Sequence, residues 1–216
     1  MKQSLLLLLA AVLALGSCKK DHPANTEDRV GSSRVTRFPT FTMNGDRYMS
    51  IPRDGNFTDP GVTAVEGSTP LTVTASGTVD ASTVGVYDIV YTAINKDGFP
   101  GTVTRTVAVL PGVEQPGVNI AGAYKNLGSF NYTAQMQKLA PGFYLVDNVW
   151  GGGSAALIAA YVLTVNGTDL LVPRAELSPY GGVSGTGTLD AAGNLDYRIT
   201  LHDLGVNNSL RKWKKL

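Results

Sequence analysis

The stretch GVYDIVYTAINKDGFPGTVTRTVAV, residues 85–109, contains the clearest structural signal in the sequence. From Tyr87 to Ala93, one set of alternate residues is apolar or aromatic, a period of two that is typical of a strand. Asn95–Gly98 follows, and its Asp-Gly pair can adopt the positive φ values of a tight turn. The return run, Thr102–Val109, places valines on one face and threonines on the other. The stretch therefore predicts a β-hairpin of defined register.

Further short strands precede this hairpin, over Val62–Val65 and Pro70–Ala75. Short strands separated by turns predict a two-sheet sandwich of the immunoglobulin-like type over residues 35–113. The Pro- and Gly-rich stretch Pro111–Gly117 is the best candidate for a domain boundary.

Four motifs occur in order through this segment: FTDPGVTA at 57–64, SGTVD at 76–80, GVYDIVY at 85–91 and TVTRTV at 102–107. Together they resemble the bacterial immunoglobulin-like domains of surface proteins and of a crystal-toxin ectodomain. The resemblance implies a spacer or adhesion module without catalytic residues.

The overall composition excludes several classes of protein. The chain has 216 residues, with 18 Lys and Arg, 17 Asp and Glu, two His and one Cys. A formal charge of +1 offers no basic field for nucleic acid. One Cys excludes a disulfide framework and a Cys-built zinc site. The 25 Gly, the 11 Pro and a charged fraction of only 16% favour an all-β chain with tight turns.

The beginning of the chain contains a predicted export signal. The apolar run Leu5–Leu15 is too short to cross a bilayer, which takes about 20 residues, and fits a secretory signal. The following Leu15-Gly-Ser-Cys18 resembles the bacterial lipobox, which implies a signal peptide over 1–17 and lipid on Cys18. The alternative is an ordinary signal peptide with a chance Cys at its end. Several acyl chains on one residue suffice for stable membrane anchoring.

Loss of Lys2 with the signal peptide lowers the formal charge from +1 to zero. No second apolar stretch of spanning length follows, so we expect a protein that is anchored to the membrane and does not span it. Residues 18–34 are rich in charge, Ser, Asn and Pro without apolar periodicity, which predicts a flexible tether.

Beyond the boundary, residues 117–216 show alternating runs, including Phe130–Gln137, Phe143–Asn148 and Leu195–His202, with turns at Asn166-Gly167 and Asp190–Gly193. This pattern predicts a second antiparallel β domain, a sandwich or a small barrel. The predicted fold class is therefore all-β, with an immunoglobulin-like sandwich followed by this second domain.

The chain as a whole resembles Bacteroidetes outer-membrane lipoproteins that pair such a sandwich with a C-terminal β domain of unassigned function. The likeness is carried by four stretches: Gly142–Gly151, Leu171–Pro173, Ser178–Gly181 and Arg211–Lys215. That family often accompanies polysaccharide-uptake systems, which implies a glycan-related role by association.

Catalysis finds little support in the sequence. A nucleophilic triad needs a His beside a Ser or a Cys, but His202, the only His in the folded part, lies on the polar face of a predicted strand, and Cys18 is expected to carry lipid. A zinc centre needs about three ligands, typically several His, which one His cannot supply. A glycoside hydrolase needs two carboxylates, and Asp147 with Glu176 is the pair retained as a remote alternative. Loop residues Asp59, Asp80 and Asp97 admit a calcium site, but turn capping is the favoured interpretation. We expect no enzyme activity, no metal and no cofactor.

The candidate ligand site is the loop that starts at Asp147. There Trp150 precedes three glycines, which allows an exposed indole that stacks on a sugar ring, with Asp147 and Asn148 as hydrogen-bond partners. Tyr180 is a second loop aromatic. The favoured alternative for Trp150 is that it fills one end of the β core.

The basic ending, Arg211–Leu216, allows contact with an anionic surface or a partner. The favoured alternative is a terminal edge strand whose lysines prevent edge-to-edge pairing.

Taken together, the sequence predicts a lipid-anchored, non-catalytic outer-membrane protein that binds glycan as an accessory to polysaccharide uptake, and it leaves open whether the protein faces the periplasm or the cell surface. The alternative is a structural or adhesion module that docks other envelope proteins. The expected partners are the membrane, through lipid on Cys18, then a glycan, and an outer-membrane transporter or another envelope protein. Nucleic acid is excluded.

Overall fold

The computed structural model describes residues 29–30, 33–154 and 156–216, so the signal peptide and Cys18 lie outside the described residues. Within the predicted tether, β1 (Arg29–Val30) pairs with β2 (Ser33–Arg34) in a short, exposed antiparallel ladder. That part of the predicted tether is therefore not structureless. Residues 39–216 form one compact unit. No helix in the described ranges is long and apolar enough to cross a membrane.

The first half of this unit consists of two sheets. One contains β3 (Thr40–Met43), β5 (Val62–Glu66) and β6 (Thr69–Leu71). The other has the order β4 (Tyr48–Pro52), β9 (Pro100–Leu110), β8 (Gly85–Ile94) and β7 (Val73–Ser76), with β4 parallel to β9. The predicted hairpin is confirmed as β8 and β9. Its turn is closed by the side-chain carbonyl of Asn95, which accepts hydrogen bonds from the N–H groups of Asp97 and Phe99.

A buried charge links the loops of this sandwich. The Arg105 side chain is 0% exposed on β9, and its guanidinium pairs with the carboxylate of Asp59. It also donates to the Tyr91 hydroxyl at 2.8 Å and to the carbonyls of residues 44, 46 and 61. The partners lie in the loops after β3 and β4, so one side chain fixes both loops to the central strand.

The aspartate turns are confirmed where the structure shows their bonds. Asp59 accepts a hydrogen bond from the Gly61 N–H at 3.1 Å, and Asp80 accepts one from the Ser82 N–H at 3.0 Å. These carboxylates therefore satisfy backbone donors next to them in the chain, as turn-capping residues do.

The second half is a closed barrel of eight antiparallel strands in chain order. They are β10 (Gly122–Asn126), β11 (Thr133–Ala140), β12 (Phe143–Val146), β13 (Ala160–Leu163), β14 (Asp169–Ala175), β15 (Val183–Leu189), β16 (Asn194–Leu201) and β17 (Val206–Lys215). The predicted all-β fold class is thus confirmed, and the second domain is a barrel. The edge-strand interpretation of the basic ending is wrong, because β17 pairs with β16 on one side and with β10 on the other. Closure removes the edges that such lysines would protect.

The barrel interior is filled by apolar and aromatic side chains, most of them on alternate strand positions. Its largest members are Tyr124, Tyr144, Ile158, Leu195, Tyr197, Ile199, Leu201 and Trp213. This packing makes the interior a core rather than an open channel.

The barrel also packs against the sandwich through its outer face. Phe143 and Leu163 of the barrel are buried together with Ala108 and Leu110 of β9. The ring of Phe143 lies 6.1 Å from that of Tyr48 and 5.0 Å from that of Tyr161. Both faces of β12 are therefore buried, one in the barrel and one between the two halves.

Candidate functional site

Four loops meet at one end of the barrel because successive strands run in opposite directions. They join β10 to β11 (127–132), β12 to β13 (147–159), β14 to β15 (176–182) and β16 to β17 (202–205). We call this end the mouth. All four predicted ligand-binding residues lie in two of its loops, the second and the third.

Trp150 is partly exposed and also packed on the core, so it has features of both arrangements that the sequence allows. Its side chain is half-buried and packs against the barrel core. The guanidinium carbon of Arg211 lies 3.3 Å from the centre of its ring, a cation–π stack. Burial lowers the pKa of Arg211 from its ordinary value. The indole is thus a partly exposed ring in a fixed orientation.

Asn148, one of the predicted ligand-binding residues, lies inside its own loop. It is fully buried, and its side-chain carbonyl accepts hydrogen bonds from the N–H groups of Trp150 at 3.2 Å and Gly151 at 3.0 Å. Its amide donates to the Gly152 carbonyl at 2.9 Å. The side chain therefore holds the loop in shape from within, since a buried amide must be satisfied internally.

The glycines that follow Trp150 are explained by close packing. Gly151 has φ +77°, and a Cβ there would lie 2.1 Å from the Asn126 amide and 3.2 Å from Trp213. A side chain cannot be accommodated at this position without moving the loop away from the core. The glycine thus lets the Trp150 loop lie directly on the barrel.

Asp147 and Tyr180 are both half-buried at the mouth. The Asp147 carboxylate accepts a hydrogen bond from the Gln135 N–H at 3.0 Å, which ties the loop to β11. Tyr180 packs against the same apolar core as Trp150. The structure thus places the two predicted aromatics on one end of one domain.

The carboxylates retained for hydrolysis are also placed at this end, and Glu176 is exposed. His202 begins a short 3₁₀ turn (His202–Leu204) and its Nε2 lies 2.8 Å from the Ser184 hydroxyl. The neighbouring Asp203 accepts a hydrogen bond from the Gly182 N–H at 3.2 Å. Within the described ranges, no group of three His, Cys, Asp or Glu residues could hold a metal ion.

The sequence did not indicate two further features of the mouth. The first is Arg211, which was considered only as part of a basic ending. The sequence feature that could have identified Arg211 is its position two residues before Trp213, since residues two apart on a strand share a face. The second is a set of exposed apolar side chains on the mouth loops: Leu127, Phe130, Leu157, Leu177 and Leu204.

Residues 41–109 match the family model of the bacterial surface protein Ig-like domain. The predicted bacterial immunoglobulin-like domain is confirmed. Because this domain type belongs to bacterial surface proteins, the match also supports a location in the cell envelope.

Solved structures give more distant similarities. A lipoprotein from Bacteroides thetaiotaomicron is 23% identical, with a TM-score of 0.42, over 83% of this chain and all 100% of that one. A Clostridium perfringens structure of a carbohydrate-binding module in complex with GlcNAc, together with INT domains, is 16% identical, with a TM-score of 0.31. That similarity covers 62% of this chain and 31% of the other. A search of curated proteins gives no significant match.

Proposed function

We propose that the chain is a non-catalytic protein of the bacterial outer membrane, anchored through lipid on Cys18, that binds glycans at the mouth of its barrel. Trp150 is the observation that carries the proposal. Its partly exposed indole is fixed by the core below it and by Arg211 against its ring. A ring that is already ordered loses little conformational entropy when a ligand packs on it.

The surroundings of Trp150 suit a sugar. A sugar ring presents apolar C–H groups on its faces and hydroxyl groups at its rim, so its sites combine an apolar surface with a few polar groups. The mouth offers the half-buried rings of Trp150 and Tyr180 and the carboxylate of Asp147. Asn148 contributes by shaping the loop.

The test is a glycan array followed by calorimetry on the soluble mature chain with Cys18→Ser. We expect Trp150→Ala to weaken binding of the selected glycan by about tenfold or more, the loss of one well-packed aromatic contact. Phe99→Ala, which removes an aromatic from the sandwich hairpin, is the matched control. The proposal fails if no glycan binds, or if Trp150→Ala binds normally while retaining the far-UV spectrum of the folded chain.

Anchoring has its own test. Labelled palmitate should be incorporated into the wild-type chain expressed in a Bacteroides host, and Cys18→Ser should abolish the label. Protease treatment of intact cells then separates the surface face from the periplasmic face. Wild-type chain without label would contradict the anchor.

A second candidate function is docking of another envelope protein, and the exposed apolar side chains of the mouth favour it. Phe130 is 71% exposed and Leu204 55%. Docking predicts that Phe130→Asp and Leu204→Asp abolish crosslinking to one envelope protein on intact cells, and that the array shows no binding. Glycan binding that persists in both variants would favour the first proposal.

A further inference from the structure

A second concave surface lies between the sandwich and the barrel, and one end of it reaches the mouth loops 176–182 and 202–205. This groove has a volume of about 530 Å³. One wall is formed by residues 84–87 at the start of β8, and the other by residues 171–174 and 184–186 of β14 and β15. Small-ligand sites commonly have volumes of about 300–1,000 Å³ and often lie between domains.

The groove is preformed because its walls belong to the core between the two halves. Val84, Val86 and Leu171 pack against the buried cluster that contains Leu110 and Phe143. A close-packed core keeps the walls at a fixed separation. Binding there needs no rearrangement of the two halves.

One end of the groove carries a positive charge. Arg174 is exposed, and its side chain makes no hydrogen bond or ion pair with any residue in the described part of the chain. Its Nε and a ring carbon of His202 both lie beside Gly182, 3.2 and 3.6 Å from the position of a Cβ there. Asp203 also reaches Gly182, and its charge offsets part of that of Arg174.

The remaining lining is suited to a sugar. The hydroxyl groups of Ser184 and Thr186 lie along the barrel wall, and Ser184 is oriented by its hydrogen bond with His202. The Tyr87 ring, whose hydroxyl donates to the Thr83 carbonyl at 2.8 Å, lines the opposite wall beside Val86. The groove thus has a cation at one end, hydroxyl groups on one side and an apolar surface on the other.

We propose that this groove binds an acidic sugar unit of a polysaccharide. Arg174 pairs with the carboxylate or sulfate, because a guanidinium matches such groups with two parallel hydrogen bonds. Ser184 and Thr186 bond the sugar hydroxyls, while Val86 and Tyr87 cover the C–H face. The site shares the glycan class with the proposed function but does not depend on Trp150.

The test measures calorimetric affinity for three probes: an oligogalacturonate, a heparin oligosaccharide and a neutral malto-oligosaccharide. The first carries carboxylates, the second adds sulfates and the third is uncharged. We expect the wild-type chain to bind at least one acidic probe and not the neutral one. Arg174→Gln should weaken that binding by about tenfold or more, as loss of a charge-assisted hydrogen-bond pair does.

Three variants make the result specific. Thr186→Glu places a negative charge in the groove and should also abolish binding. Arg198→Gln removes the same charge from the β16 position paired with Thr186, which is outside the lining of the groove, and should leave binding unchanged. Trp150→Ala, which tests the mouth, should leave it unchanged as well. The inference is overturned if no acidic probe binds, or if Arg174→Gln and Arg198→Gln weaken binding equally, the result expected of diffuse attraction to positive charge.

Discussion

The guanidinium of Arg211 stacks on the Trp150 ring, with 3.3 Å between the guanidinium carbon and the ring centre. Two residues later on the same strand, Trp213 is 1% exposed in the barrel core. Strand β17 therefore contributes to both the core and the mouth. The two tryptophans of the chain occupy different environments, which makes each of them a spectroscopic probe.

We predict that Trp150→Phe leaves a blue-shifted tryptophan emission that acrylamide quenches poorly, because Trp213 is then the only tryptophan and is buried. Arg211→Ala should have the opposite effect, raising the quenching of Trp150 by uncovering its ring. Steady-state emission and Stern–Volmer plots measure both changes. Equal quenching constants for the wild-type chain and both variants would show that the stack does not exist in solution.

The buried guanidinium in the sandwich leads to a stability prediction. Arg105→Met removes one partner of a buried pair, and Asp59, Tyr91 and three carbonyls each lose the hydrogen bond or ion pair that the guanidinium provides. We expect the free energy of unfolding to fall by about 3–5 kcal/mol, measured by urea denaturation. The exposed Arg53 offers a matched control, and Arg53→Met should change the value by less than about 0.5 kcal/mol. Similar losses in the two variants would refute the role of Arg105.

The pH dependence of stability follows from the same pair. Burial by itself would raise the pKa of Asp59, but hydrogen bonds from Tyr91 and Gly61 and the charge of Arg105 hold it below the ordinary 3.8. The ionised carboxylate therefore stabilises the fold above the unfolded pKa, and this stabilisation is lost as the pH falls through the folded pKa.

We expect Asp59→Asn to lower the melting temperature at pH 7, and the difference from wild type to shrink as the pH falls below about 4. Scanning calorimetry from pH 7 to pH 2.5 gives both curves, with Asp54→Asn as the exposed control. A difference that stays constant over this range would contradict the assignment.

The interface between sandwich and barrel should make the two halves unfold together. Phe143→Ala removes a ring that is fully buried between them. We expect a loss of about 3–5 kcal/mol and the separation of one calorimetric transition into two. The exposed Phe130 is the control, and Phe130→Ala should leave the single transition in place.

Local patterns predicted the β8–β9 hairpin and the turn aspartates because their causes are local: a period of two, Asp-Gly, and side chains that bond nearby N–H groups. Barrel closure was not predictable in this way. The pairing of β10 with β17 joins residues such as Tyr124 and Lys215, and nothing near either position specifies it. The basic ending was misread as an edge strand for that reason.

Arg105 shows a second limit. It shares a face of β9 with Val103 and Val107. A period of two predicts apolar side chains on the inward face of a strand, so it does not predict a charged side chain there. The position is explained only by the acceptors that two distant loops bring to it. The role of Asn148 was equally hard to predict, because a loop amide can bond either a ligand or the backbone of its own loop. Only its burial shows that it bonds its own loop.

The most direct test of glycan binding at the mouth is the quenching of Trp150 by acrylamide, titrated with the glycan that the array selects. The account predicts that saturating glycan protects the wild-type emission, and that Trp150→Phe shows no ligand-dependent change because only buried Trp213 remains. Calorimetric binding of that glycan with no protection of Trp150 would contradict it.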